Sequence, residues 1–137
     1  MTDKTILGID LGTTNSLAAC MTPSGPEVVR AGGGAALVPS VIALSPEGKA
    51  TVGAEARAHA VENPLSTVYS VKRLMGKGIE DVQEDLRFLP YAIGPGPNGT
   101  VRVRVGAREM SPEELSAVIL QDVRARAEAA LGRKITE

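Results

Sequence analysis

A mixed α and β fold is predicted by three features of this 137-residue sequence. Short apolar runs broken by turn residues fill its first third, which reads as sheet. Alanine-rich composition and apolar spacings of three and four follow, which read as helix. A second pair of strands and a well-capped helix close the chain, giving the order sheet, helices, sheet, helix.

The first two strands come from Ile6-Leu7-Gly8-Ile9 and Leu17-Ala18-Ala19-Cys20-Met21. The turn between them is Gly12-Thr13-Thr14-Asn15, and Asp10 sits at the end of the first strand as an acid expected to be buried. Small turn residues let backbone N–H groups approach a ligand closely. A concave row of such groups, with two threonine hydroxyls, suits a phosphate. The Asp10 carboxylate is placed to hold a divalent cation through water, the usual habit of magnesium.

Thr22-Pro23-Ser24-Gly25-Pro26 is a turn cluster, and residues 27–30 read as a third strand of a meander. Gly32-Gly33-Gly34 is a break. No Gly-Lys-Ser/Thr follows it, so a connection between subdomains is preferred over a phosphate loop. Residues 37–44 resume a strand, with Pro39 at an edge or start, and Ala50-Thr51-Val52 pairs with it. Residues 54–60 are alanine-rich and helical, with His59 on a solvated face.

Asn63-Pro64 reads as a helix start, cap then first position. Leu65, Val68, Val71, Leu74 and Met75 would form its apolar face, with Lys72 and Arg73 inside the helix and Gly76 as its stop. On periodicity alone, Lys72 is a solvated lysine. Residues 79–86 are a charge run, read as a solvated face. Residues 88–93 and 101–105 flank Asn98-Gly99, a strong hairpin signal. Val alternates with Arg102 and Arg104 in the second of these strands, so the arginines lie on its wet face. Ser111-Pro112-Glu113-Glu114 opens the last helix with a capping box, and Gly132 stops it.

Composition narrows the function. Fifteen basic residues nearly balance sixteen acidic ones, which argues against a nucleic-acid footprint. Phe88, Tyr69 and Tyr91 are the only aromatic residues, too few for a base-stacking platform. Cys20 alone excludes an intrachain disulfide, and Cys20 with His59 makes a poor zinc set. Residues 6–9 are too short an apolar run for a signal peptide or membrane span, so a cytoplasmic setting without membrane contact is expected.

Gly8-Ile9-Asp10-Leu11-Gly12-Thr13-Thr14-Asn15-Ser16 resembles the first phosphate motif of the heat-shock protein 70 family chaperones (DnaK type). Sugar kinases of the actin-like ATPase superfamily carry a similar Asp-x-Gly-Thr-Thr hairpin, and a carbohydrate kinase is the alternative reading. Val38-Pro39-Ser40-Val41-Ile42, Val52-Gly53, Asn63-Pro64 and Val71-Lys72-Arg73-Leu74-Met75-Gly76 resemble the chaperone family in order and spacing. Residues 70–91 are also similar to the branch serving iron–sulfur cluster assembly.

The resemblance, over residues 5–137, implies an α/β actin-like ATPase (ribonuclease-H-like) first lobe with an inserted α/β subdomain. Residues 1–40 plus 112–137 would form part of the ribonuclease-H-like subdomain, and residues 41–111 the inserted one. ATP and magnesium are the implied cofactors. Gly12, Thr13, Thr14 and Asn15 would contact phosphates, Asp10 would be catalytic and bind magnesium through water, and Lys72 would act in catalysis and in ATP binding. Client peptides, J-domain proteins and nucleotide exchange factors are the implied partners. The second phosphate loop, adenine pocket and peptide-binding domain would lie downstream, so an N-terminal fragment, incomplete at its C-terminus, is expected. A non-catalytic interaction piece is the third reading.

Overall fold

The computed structural model describes residues 4–30 and 34–137, so Gly32 and Gly33 of the expected break lie outside the described residues. Among the described residues, three antiparallel sheets, two α-helices and several 3-10 turns make up the mixed α and β fold. In the first sheet, β1 (Leu7–Leu11) pairs with β2 (Asn15–Thr22). β2 also pairs with β3 (Gly25–Val28) and with the short β4 (Val38–Pro39). The β1–β2 register runs from Leu7 opposite Cys20 to Leu11 opposite Ser16, which leaves the 12–15 turn at its end. The third strand begins two residues earlier than residues 27–30 suggest, although Val29 N–H still donates to the Ala18 carbonyl at 2.8 Å.

The expected strand over residues 37–44 divides at Ser40. Its first part is β4, and its second is β5 (Val41–Leu44), the middle of another sheet. There β5 pairs with β6 (Ala50–Val52) on one side and β7 (Thr67–Tyr69) on the other. The third sheet joins β8 (Ala92–Pro95), β9 (Val101–Val105) and β10 (Arg108–Met110). Asn98 and Gly99 adopt φ of 56° and 72°, the left-handed pair that an Asn-Gly turn supplies at little steric cost. Arg102 and Arg104 face outward between the buried Val101, Val103 and Val105, as alternation requires.

The helix expected over residues 64–75 does not form. A 3-10 turn at Pro64–Ser66, strand β7 and a second 3-10 turn at Val71–Arg73 replace it. Thr67, Val68 and Tyr69 are β-branched or aromatic and sit well on a pleated surface. Val68 pairs with Ile42, and both are fully buried. Val68, Val71 and Leu74 are spaced by three, which suits strand end and 3-10 turn as well as helix. Leu65, the first residue of the supposed apolar face, is exposed. The Asn63 side chain makes no capping bond; its carbonyl instead accepts from the Thr67 hydroxyl at 2.8 Å. The 88–93 strand is likewise displaced to β8, since Phe88 belongs to a 3-10 turn and is exposed.

The first helix, α1 (Ala54–Ala58), is shorter than expected, and His59 beyond it is exposed. The last, α2 (Pro112–Leu131), has the expected capping box between Ser111 and Glu114 and ends at Gly132 in the left-handed conformation. Its buried Leu115, Ile119, Val123 and Ala127 recur every four residues. Each large aliphatic among them contributes about 1.5–3 kcal/mol relative to exposure. α2 packs on β1 and β2, on β5 and β6, on β9 and on the Val71–Arg73 turn, so one helix joins all three sheets. Beyond it, buried Ile135 donates its N–H to the Glu128 carboxylate at 2.9 Å, and Glu137 accepts from Leu7 N–H on the free edge of β1.

Candidate phosphate-binding site

Asp10 is exposed, which corrects the expectation of a buried acid. The cause is the period of two. Leu7, Ile9 and Leu11 share the face packed on the core, so Gly8 and Asp10 share the opposite one. Asp10 therefore stands at the open end of β1, opposite Leu17 and two residues before the turn.

The turn is tightly folded. A Cβ on Gly12 would lie 2.0 Å from the Asn15 carbonyl oxygen, so only glycine fits. Ser40, 3 % exposed, reaches this turn from the β4–β5 junction. Its hydroxyl donates to the Gly12 carbonyl at 2.8 Å, and its N–H donates to the Thr14 carbonyl at 2.9 Å. Ser16 Oγ lies 2.8 Å from Ser40 Oγ. The single proton of Ser40 is used on Gly12, so Ser16 is the donor in that pair. Two of the turn's carbonyls are thus held back against the protein. Among the described residues, no carbonyl or side chain accepts from the N–H groups of Gly12, Thr13 or Thr14. A run of successive free backbone amides is the element from which anion-binding concavities are built. Thr13, Thr14 and Asn15 carry hydroxyls and an amide as further polar groups in the same turn. This donor set fits phosphate oxygens.

A cation among those oxygens would meet Asp10 as a lone carboxylate. No group of three or more His, Cys, Asp or Glu suited to a metal occurs among the described residues. One carboxylate plus water and phosphate oxygens is a typical magnesium environment.

Lys72 lies outside the sheet that holds Asp10 and the turn. It lies in the Val71–Arg73 turn directly after β7, where Val71 and Leu74 are buried and Lys72 itself is exposed. Among the described residues its ammonium joins no hydrogen bond or ion pair, although its backbone carbonyl accepts from Met75 N–H at 3.4 Å, and no bond connects it with the 12–15 turn. Its neighbours differ: Arg73 and Lys77 both approach Asp85, at 3.9 and 3.6 Å. Ser70, just before the turn, is left-handed at φ 57°, a strained setting for a residue with a Cβ. Tyr91, 3 % exposed, fixes the backbone there by donating its hydroxyl to the Tyr69 carbonyl at 2.5 Å. Its ring meets Tyr69 edge-on, with centroids 5.9 Å apart. Burial first, then the nearby Tyr69 and Asp85, pushes the Tyr91 hydroxyl far above its usual range. The two parts of the site are connected through α2, which packs on β1, β2 and the Lys72 turn.

Sequence reasoning names Asp10, the 12–15 turn and Lys72 as candidates but does not anticipate the bonds that Ser16 and Ser40 make. Both lie inside stretches that carry the family resemblance. Their pairing depends on the β2–β4 register, Asn15 opposite Pro39, which no local signal reveals.

The family model described as "Hsp70 protein" matches residues 6–137, nearly the whole chain. The matched range includes the hairpin and the Lys72 turn, and the chain belongs to the Hsp70 family.

Proposed function

We propose that this chain is the ATP-binding and ATP-hydrolysing part of a molecular chaperone, with the 12–15 turn as its phosphate cradle. The observation that carries this reading is the row of free amides at Gly12, Thr13 and Thr14, backed by carbonyls that Ser40 holds away. Hsp70 family membership supports ATP with magnesium as the ligand and a chaperone role. An actin-like first lobe, in which residues 41–111 are inserted between 1–40 and 112–137, is part of the same proposal. So are a cytoplasmic setting and partnership with client peptides, J-domain proteins and exchange factors. Residues 70–91 are also similar to the iron–sulfur assembly branch, and the proposal covers that branch and the general chaperones alike.

Phosphoryl transfer depends on positioning and electrostatic stabilisation more than on covalent help from the protein. The Gly12, Thr13 and Thr14 amides and the two threonine hydroxyls would orient the phosphates. Asp10 would hold, through water, a magnesium ion whose charge offsets theirs. Lys72 would contribute a compact positive charge toward the negative charge that develops in transfer. Its freedom from ion pairing leaves that charge available, while Asp85 occupies Arg73 and Lys77.

Steady-state ATP turnover of the intact protein, with and without an unfolded peptide and with and without sugars, tests the reading. Stimulation by peptide and indifference to sugar are expected. Turnover that requires a sugar would move the chain to the carbohydrate kinases.

A further inference from the structure

We propose that Ser40 is a positioning residue for the phosphate cradle, with Ser16 as its supporting donor; the inference rests on the phosphate reading of the 12–15 turn. The hydroxyl of Ser40 and its N–H bind two carbonyls of one turn, those of Gly12 and Thr14. A peptide carbonyl and the next N–H belong to one plane and point opposite ways. Holding the Gly12 carbonyl inward therefore directs the Thr13 N–H outward. Ser40 and Ser16 are both almost fully buried, so the bond between them is shielded from water and the bond to Gly12 partly so. Ser16 donates to Ser40, which polarises the Ser40 hydroxyl and strengthens its own donation to Gly12. Ser40 also stands where the chain leaves the hairpin sheet for the β5 sheet, whose other neighbour, β7, leads into Lys72. The cradle is in this way fixed to the sheet whose strand β7 leads into the turn of the candidate catalytic lysine.

Two variants and two ligands test this. Ser40→Ala removes only the hydroxyl and keeps the N–H bond to Thr14. Backbone order parameters of the Gly12 and Thr13 amides are expected to fall from a rigid value of about 0.85 to below about 0.6 without ligand. In the intact protein, Mg-ATP is expected to bind about tenfold more weakly, with adenosine binding unchanged, because only the phosphates meet the turn. Ser16→Ala keeps the bond to Gly12 and is expected to weaken Mg-ATP about threefold, a second reading should Ser40→Ala fail to fold. Equal losses for ATP and adenosine in either variant would make the serines merely structural and overturn the proposal. So would unchanged order parameters and unchanged Mg-ATP affinity. A wild-type protein that binds adenosine as tightly as Mg-ATP would instead overturn the phosphate reading itself, and this proposal with it.

Discussion

The 12–15 turn and the Val71–Arg73 turn carry the two halves of the candidate site, and they are built by opposite means. The first is a backbone device. Gly12 admits a fold no side chain would allow, and buried serines hold the carbonyls back. The second is a side-chain device. Val71 and Leu74 anchor the turn in the core, Tyr91 fixes the backbone before it, and Lys72 is left outside. Binding an anion through amides requires carbonyls disposed of elsewhere. Presenting a cation requires only a firm base and no competing carboxylate, which Asp85 provides by engaging Arg73 and Lys77 instead.

Substitutions that strike each device should separate them. The largest effect is expected from Leu74→Ala, which empties a fully buried position under the Lys72 turn. It should cost about 2–5 kcal/mol in urea unfolding, because the cavity adds to the lost transfer energy. Gly12→Ala should cost about 1–3 kcal/mol by overcrowding the Asn15 carbonyl. Mg-ATP affinity should fall with Gly12→Ala even where the protein remains folded. Equal stability and affinity to wild type would show that the turn is not held as described.

Tyr91→Phe keeps the edge-on ring contact and removes the donation to Tyr69, at an expected cost of about 1 kcal/mol. The pH dependence gives it a signature. The Tyr91 hydroxyl is raised in the folded state above its usual value of 10.0. Its contribution is therefore fully present below pH 10 and is lost as pH rises beyond it. Unfolding midpoints between pH 9 and pH 11 should fall with pH in wild type, and less steeply in Tyr91→Phe, by urea titrations monitored at fixed ionic strength. Parallel curves would remove Tyr91 from this role. Ser70→Gly is expected to have the smallest effect, within about 0.5 kcal/mol, since relief of left-handed strain is offset by glycine's greater freedom when unfolded.

The same contrast explains what could be read from sequence. The hairpin declares itself locally, because alternation, small turn residues and an acid at the strand end lie within twelve positions. The capping box of α2 and the Asn98-Gly99 turn are equally local and are found where expected. The Lys72 segment misleads because Val68, Val71 and Leu74 satisfy a helical spacing while serving a strand and a 3-10 turn. Pairing of Val68 with Ile42 on β5 decides the outcome, and that partner is remote in sequence. Alternation alone leaves both faces of β1 open, and the packing of α2 on β1 decides that Asp10 is exposed rather than buried. Ser40 escaped for a similar reason: its partners Gly12 and Ser16 meet it only after β4 docks on β2.

Lys72→Ala in the intact protein tests the two-part site most directly, because Lys72 is exposed and its loss should leave the fold unchanged. Single-turnover ATP hydrolysis is expected to slow by about a hundredfold or more, with Mg-ATP still bound through the 12–15 turn. Hydrolysis at the wild-type rate would contradict the account.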